Sequence, residues 1–336
     1  MPIIVVSNRV SPPQGRASLP GGLAVVMREA LWKNGGIWFG WSGTVTESAA
    51  SAPPTRLAQG PLTYVTVDLT RAEYEKYYLG FSNATLWPTL HYRLGLIEFD
   101  GGQYEEYLRV NTRLARLLAP MIGADDIIWV HDYHLIPMGA ALRRLGIGNP
   151  IGFFLHTPFP AAEVFSALPR HDELLCAMAA YDLVGFQTEA SRTAFRESIV
   201  RLAAGEALDD GRFLAYGRRS RAGVFPVGID AEAFARAAAQ SAEAEPASEL
   251  GRLADSLRGR SLILGVDRLD YSKGIAQRFG AIELLLEGNP EYRRRFQYLQ
   301  VTPCSREEVP QYRALRRQLE GAAGRINGKF AECDWS

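Results

Sequence analysis

Neither sign of charge is in surplus in this chain of 336 residues: Lys plus Arg and Asp plus Glu number 37 each. Without a field of one sign, there is no electrostatic reason to assign nucleic acid or an anionic membrane as a partner. Any phosphate must be met by local cations. Cysteine is scarce. Cys176, Cys304 and Cys333 are odd in number and scattered, which fits neither a disulfide framework nor a zinc spacing and leaves a structural reading of them. No apolar stretch approaches the length that spans a bilayer, and Met1-Pro-Ile-Ile-Val-Val enters a strand-like run with no basic region before it. The cytoplasm is the expected compartment. Internal repeats and low-complexity tracts are missing too. What is present is 47% hydrophobic content, enough to bury a large core, on a length that suits two domains.

Short apolar runs, each followed by a polar or glycine turn and a helical pattern, recur along the chain. They are Ile3 to Val6, Ile127 to Val130, Ile151 to Leu155, Leu183 to Phe186, Gly223 to Phe225, Leu262 to Val266 and Phe296 to Val301. This ordering predicts an α/β fold with parallel strands. Between Tyr104 and Met121 the apolar Tyr107, Val110, Leu114, Leu117, Leu118 and Met121 share one helical face that would pack on a sheet. From Ala231 to Glu249 the composition shifts to Ala, Gln, Ser and Glu with Pro246. The expected division is therefore an N-terminal domain over 1–235, a connection over 236–260 and a C-terminal domain over 261–336. Only two strand-plus-helix units follow the connection, so the second domain reads as incomplete. Its sheet edge invites self-association.

The strand exits carry the chemistry. Leu262 to Val266 reads as a buried parallel strand that delivers Arg268 and Lys273 into a turn closed by Gly274, with helical spacing resuming at Ile275. Two cations at a strand's carboxyl end and a helix N-terminus make a site for a diphosphate. Gly21 and Gly22 precede a helical stretch, where absent side chains let a ligand approach backbone N–H groups, although the spacing is not a dinucleotide fingerprint. Arg9 leaves the first strand as a candidate phosphate clamp, and Arg306 leaves the strand ending at Val301 in the same way. Aromatics gather at Trp38-Phe-Gly-Trp41 and from Tyr77 to Tyr92. Phe39 and Phe81 read as core, whereas Tyr78 and Trp87, beside Ser82, Asn83 and Pro88, suggest a loop lip suited to a sugar face. Asp132 ends the Ile127 strand, placed to hydrogen-bond sugar hydroxyls or accept a proton, and His156 ends the neighbouring strand. His131 and His134 could be read as a metal pair, but strand-end geometry splays them and no further ligands accompany them, so no metal is assigned.

On these residues the sequence resembles the trehalose-6-phosphate synthases of glycosyltransferase family 20. The motifs that carry the resemblance are Val5-Val-Ser-Asn-Arg9, Gly21-Gly-Leu-Ala24, Trp38-Phe-Gly-Trp-Ser-Gly43, Phe81-Ser-Asn-Ala84, Leu86-Trp-Pro88, Trp129-Val-His-Asp-Tyr-His-Leu135, Gly152-Phe-Phe-Leu-His156, Asp267-Arg-Leu-Asp-Tyr-Ser-Lys-Gly274 and Gly324-Arg-Ile-Asn-Gly328. The resemblance implies two Rossmann-like domains of the GT-B type facing a cleft. It also implies transfer of glucose from UDP-glucose to glucose 6-phosphate with retention, with no cofactor and no protein nucleophile. By the same resemblance Arg268, Lys273 and Gly22 would bind the donor, and His156 would contact the transferred glucose. Arg9, Tyr78, Trp87, Asp132 and Arg306 would hold the acceptor. Family members continue past Ser336 with further nucleotide-binding elements, so a truncated form with weakened donor affinity is the expectation. Two alternatives stay open: a relative using glycerol 3-phosphate or a cyclitol phosphate as acceptor, and a non-catalytic sugar-phosphate-binding protein.

Overall fold

The computed structural model describes residues 2–10, 12, 27, 31–32, 35–47, 53–242, 248–303 and 308–335. It divides into two compact units, Met1–Val227 and Gly228–Ser336. The stretch 236–260, marked by composition as a connection, is occupied largely by the helices Ala231–Ala242 and Glu249–Leu257.

The first unit is built on a ten-stranded sheet. Its strands are β1 (Ile3–Arg9), β2 (Gly36–Thr46), β3 (Thr55–Gln59), β4 (Leu62–Thr70), β5 (Ile127–His131), β6 (Ile151–Leu155), β7 (Leu183–Phe186), β8 (Glu206–Ala207), β9 (Arg212–Ala215) and β10 (Arg218–Val224). The order is β3-β4-β2-β1-β5-β6-β7-β10-β9-β8. Strands β4 through β10 in that order run parallel, and β3 on one edge and β9 with β8 on the other are antiparallel. The central strands are apolar runs because both faces are covered; Ile4, Val5, Val6, Ile128, Val130, Phe153 and Leu155 are all buried. Each such side chain contributes about 1.5–3 kcal/mol of burial free energy. The helix Gly101–Leu118 starts on Asp100, whose carboxylate accepts from the Gln103 N–H at 2.8 Å, and buries Tyr107, Val110, Leu114 and Leu118. The last turn of that expected helix, to Met121, is 3-10.

The aromatics Trp38 to Trp41 lie in strand β2. One difference from the sequence expectation bears on function. Tyr78 and Trp87 do not sit in a loop: Tyr74–Leu86 is a π-helix that continues directly into the helix Trp87–Leu90. The segment is launched by a capping box in which Thr70 and Glu73 exchange side-chain-to-backbone hydrogen bonds. Glu73 is buried and pairs with Arg113 at 2.9 Å, tying the start of this segment to the Gly101–Leu118 helix.

The second unit holds a two-stranded parallel sheet, β11 (Ser261–Val266) beside β12 (Phe296–Val301). The helices Ile275–Gly288 and Pro310–Phe330 cover the face carrying Phe296 and Tyr298, with Leu286, Ile326, Phe330 and Trp335 in that core. The expectation of a buried β11 is therefore corrected: Leu264 and Val266 alternate onto the other face and are 57% and 62% exposed. Cys176 and Cys333 are free and exposed, which corrects their structural reading, and Cys304 lies outside the described residues. No helix among the described residues is long and apolar enough to cross a membrane.

Candidate functional site

The carboxyl ends of β1, β2, β5 and β6 lie side by side, and each delivers a polar or aromatic side chain to one end of the sheet. At the end of β1, the Ser7 hydroxyl accepts from the Trp38 indole N–H at 2.8 Å and donates to the Arg9 carbonyl at 3.0 Å. Asn8 accepts from the Tyr77 hydroxyl at 2.7 Å, which pins the strand end to the π-helix. Arg9 itself is exposed, with its guanidinium carbon 5.7 Å from the Trp41 ring centroid. Gly43, at φ +94, makes room for it: a β-carbon there would stand 2.6 Å from an Arg9 nitrogen.

From Trp41 a wall of rings continues. Trp41 meets Tyr78 at 5.4 Å between centroids, Tyr78 stacks on His134 at 5.7 Å and 13°, and His134 leans on Tyr133 at 3.9 Å. Tyr133 meets Trp87 at 5.5 Å. The wall is braced by Asn83, which donates to the Tyr78 carbonyl at 2.7 Å and accepts from the Tyr133 hydroxyl at 3.0 Å. Arg9, Tyr78 and Trp87, selected from the sequence for separate reasons, are thus joined through Trp41, His134 and Tyr133. Trp87 is buried and Tyr78 half-buried, so Tyr78 is the ring more open to a ligand.

Asp132 turns out of β5 with φ 73 and ψ 164, a region that is essentially glycine-only. Its backbone N–H is held by the Phe154 carbonyl at 2.8 Å, and its own carbonyl accepts from Leu135 at 3.0 Å as the chain enters a 3-10 turn over Tyr133–Leu135. An acid kept in a strained backbone needs its carboxylate for something, and Oδ1 accepts the His156 backbone N–H at 3.3 Å. The two strand-end residues expected to act are therefore neighbours.

His131, read from the sequence against His134, instead faces His156, with Nδ1 3.0 Å from Nε2. The register explains this: His131 pairs with Phe154, and His156 follows two residues later, just past the end of β6. Burial drives the His131 pKa well below its ordinary value, with His156 adding to the effect. Burial also lowers His156, against an opposing pull from Asp132. Among the described residues no group of three or more His, Cys, Asp or Glu is arranged to hold a metal ion.

In the second unit, Arg268 and Lys273 flank the turn after β11 and both are exposed, with no ion-pair partner among the described residues. The turn is rigidly built. Asp270, buried, accepts from the Ser272 N–H at 2.9 Å and from the Tyr312 hydroxyl at 3.1 Å. Arg278, which the sequence reading passed over, binds Asp267 at 2.5 Å, the Lys273 carbonyl at 3.0 Å and Gln300 at 3.2 Å. Gly274 takes φ +65 at the N-cap of the Ile275–Gly288 helix. The two exposed cations therefore stand beside that helix N-terminus, whose partial positive charge has the same sign as theirs. Gly21, Gly22 and Arg306 lie outside the described residues.

Comparison with known proteins gives a consistent result. The family model described as glycosyltransferase family 20 matches residues 11–336. A trehalose-6-phosphate synthase of Sodalis glossinidius is 45% identical over 99% of this chain and 70% of its own length. A Burkholderia xenovorans α,α-trehalose-phosphate synthase (UDP-forming), solved in complex with glucose-6-phosphate, is 46% identical with a TM-score of 0.93, covering 100% of this chain and 73% of that one. An E. coli structure with UDP-2-fluoro glucose bound is 42% identical with a TM-score of 0.92, covering 100% and 72%.

Proposed function

The chain belongs to glycosyltransferase family 20, and from that premise we propose that it transfers glucose from UDP-glucose to glucose 6-phosphate, releasing UDP and forming α,α-trehalose 6-phosphate with retention at the anomeric carbon. The observation that carries this reading is the convergence of a cation, an aromatic wall and an Asp–His pair at adjacent parallel strand ends. Arg9 takes the acceptor phosphate, with Arg306 assigned to the same task. Tyr78 and Trp87 line the acceptor sugar, and Asp132 accepts from its hydroxyls. His156 contacts the transferred glucose. Arg268 and Lys273 hold the donor diphosphate, with the backbone at Gly21 and Gly22 assigned to it as well.

In this mechanism the bond from C1 to the diphosphate oxygen breaks and its electron pair leaves with UDP. The acceptor hydroxyl bonds C1 from the same face, and its proton passes to the departing phosphate oxygen. No side chain becomes covalently attached. The protein's contribution is positioning, together with preorganised positive charge where negative charge develops. Arg268 and Lys273 supply that charge.

The test is UDP release from UDP-glucose with and without glucose 6-phosphate. Release that depends on glucose 6-phosphate is expected, with Arg268→Ala and Lys273→Ala each lowering turnover by about 10²–10³-fold while glucose 6-phosphate still binds. Release indifferent to the acceptor, or full turnover in both variants, overturns the assignment.

A further inference from the structure

The pairing of His131 with His156 has two arrangements when both rings are neutral, and they present opposite chemistry to a ligand. In one, His131 carries its proton on Nδ1 and donates to His156 Nε2, which leaves His156 protonated on Nδ1. In the other, His156 donates from Nε2 to His131 Nδ1, and the His131 proton must then sit on its own Nε2. His131 is fully buried, and among the described residues no protein atom lies within hydrogen-bonding reach of its Nε2. The first arrangement leaves a bare lone pair there. The second buries an N–H donor without an acceptor, which native structures tolerate far less readily than an under-used acceptor.

We propose that His131 is a positioning residue that fixes His156 in the Nδ1–H tautomer, so that His156 offers a substrate oxygen a hydrogen-bond donor and not a basic lone pair. The inference rests on the glucosyl-transfer reading only for the identity of that oxygen. It excludes His156 as a general base, because its one lone pair is occupied by His131 at 3.0 Å. Burial of both rings supports the neutral pair, since an imidazolium in this place would be poorly solvated. Asp132 acts on the same ring. Its carboxylate accepts from the His156 backbone N–H at 3.3 Å, so its negative charge lies close to His156 and favours a proton on that ring.

The experiment is long-range nitrogen–proton correlation spectroscopy of the 15N-histidine-labelled protein at pH 7.5. The sequence holds five histidines, so single substitutions assign the ring signals. The wild type is expected to show His156 with a protonated Nδ1 and a bare Nε2. His131→Phe, which keeps ring volume and removes the donor, should release His156 to the Nε2–H form or to an averaged mixture. His131→Asn, whose amide N–H falls about where Nδ1 stood, should restore the wild-type pattern. Protonation of His156 at Nε2 in the wild type overturns the proposal, as does an unchanged His156 pattern in His131→Phe. If His131→Phe does not fold, the wild-type spectrum decides by itself. No turnover is needed for this readout, so a correct tautomer with no acceptor-dependent UDP release would count against the glucosyl-transfer reading alone.

Discussion

Replacing Asp132 by glycine and by alanine should separate what its backbone costs from what its carboxylate does. At φ 73 and ψ 164 a residue with a β-carbon carries about 1–3 kcal/mol of strain. Both substitutions delete the carboxylate and its contacts, so those losses cancel between them. Glycine alone relieves the strain, against roughly 0.4–1 kcal/mol for the added freedom of its unfolded chain. Asp132→Gly should therefore be more stable than Asp132→Ala by about 0.5–2 kcal/mol, or roughly 2–4 °C in Tm per kcal/mol for a unit of this size. Urea unfolding followed by tryptophan fluorescence reads the first unit directly, because Trp38 and Trp41 are buried in it. Both variants should lose glucose 6-phosphate binding in calorimetry. An alanine variant as stable as the glycine variant would refute the claim that the backbone is strained. Intact sugar-phosphate binding in both would refute the claim that the acid is retained for a ligand. The expected pattern, stability regained while binding is lost, is what a residue kept for function at a structural cost should show.

Gly43→Ala should weaken glucose 6-phosphate binding without touching the ligand. Its β-carbon would stand 2.6 Å from an Arg9 nitrogen, and losing a hydrogen bond to a charged group costs about 1.5–3 kcal/mol, or roughly 10- to 150-fold in Kd; unchanged affinity would show that Arg9 does not bind the phosphate. The histidine pair should also make stability depend on pH. Both pKa values are depressed in the folded protein, so the unfolded chain takes up more protons below its ordinary histidine pKa near 6.5. Stability contributed by the pair is thus complete above about pH 6.5 and falls as pH drops, by up to ~1.4 kcal/mol per unit for each ring until its folded pKa is reached. Urea midpoints from pH 7.5 to 5 should fall less steeply in His131→Phe than in the wild type, and equal slopes would contradict the assignment.

The strand exits were legible because buried parallel strands leave a plain trace. An apolar run with both faces covered must end where a polar residue first reaches solvent, and Arg9, Asp132 and His156 each stand at or just beyond such an end, whereas Arg268 follows an apolar run, β11, that has one face open. Strands with one open face leave a weaker trace. In β4 the run Leu62-Thr-Tyr-Val-Thr-Val-Asp-Leu-Thr70 mixes threonine among apolar residues, and in β3 every residue is exposed, so neither stood out. The His131–His156 contact was legible in principle from strand parity, but it needs the register between β5 and β6, which the sequence of either strand does not contain.

The π-helix has no such trace, and the reason lies in what holds it. Helical spacing cannot distinguish a chain bonded four residues back from one bonded five back, and the wider form is selected only by what surrounds it. Here the Trp87 N–H reaches the Ser82 carbonyl, while Tyr77 and Phe81 pack on Tyr107 at 5.9 and 4.7 Å. Asn83 then couples the segment to the end of β5 through Tyr78 and Tyr133. Asn83 carries the family resemblance in Phe81-Ser-Asn-Ala84, yet nothing in that motif says what an asparagine is for. Its role is visible only once two distant elements are side by side: one buried amide, 1% exposed, donates to the backbone under Tyr78 and accepts from the ring that supports Trp87. The aromatic wall is therefore braced by the same polar group at two points, the backbone of Tyr78 and the hydroxyl of Tyr133, while the rings between them pack directly on one another.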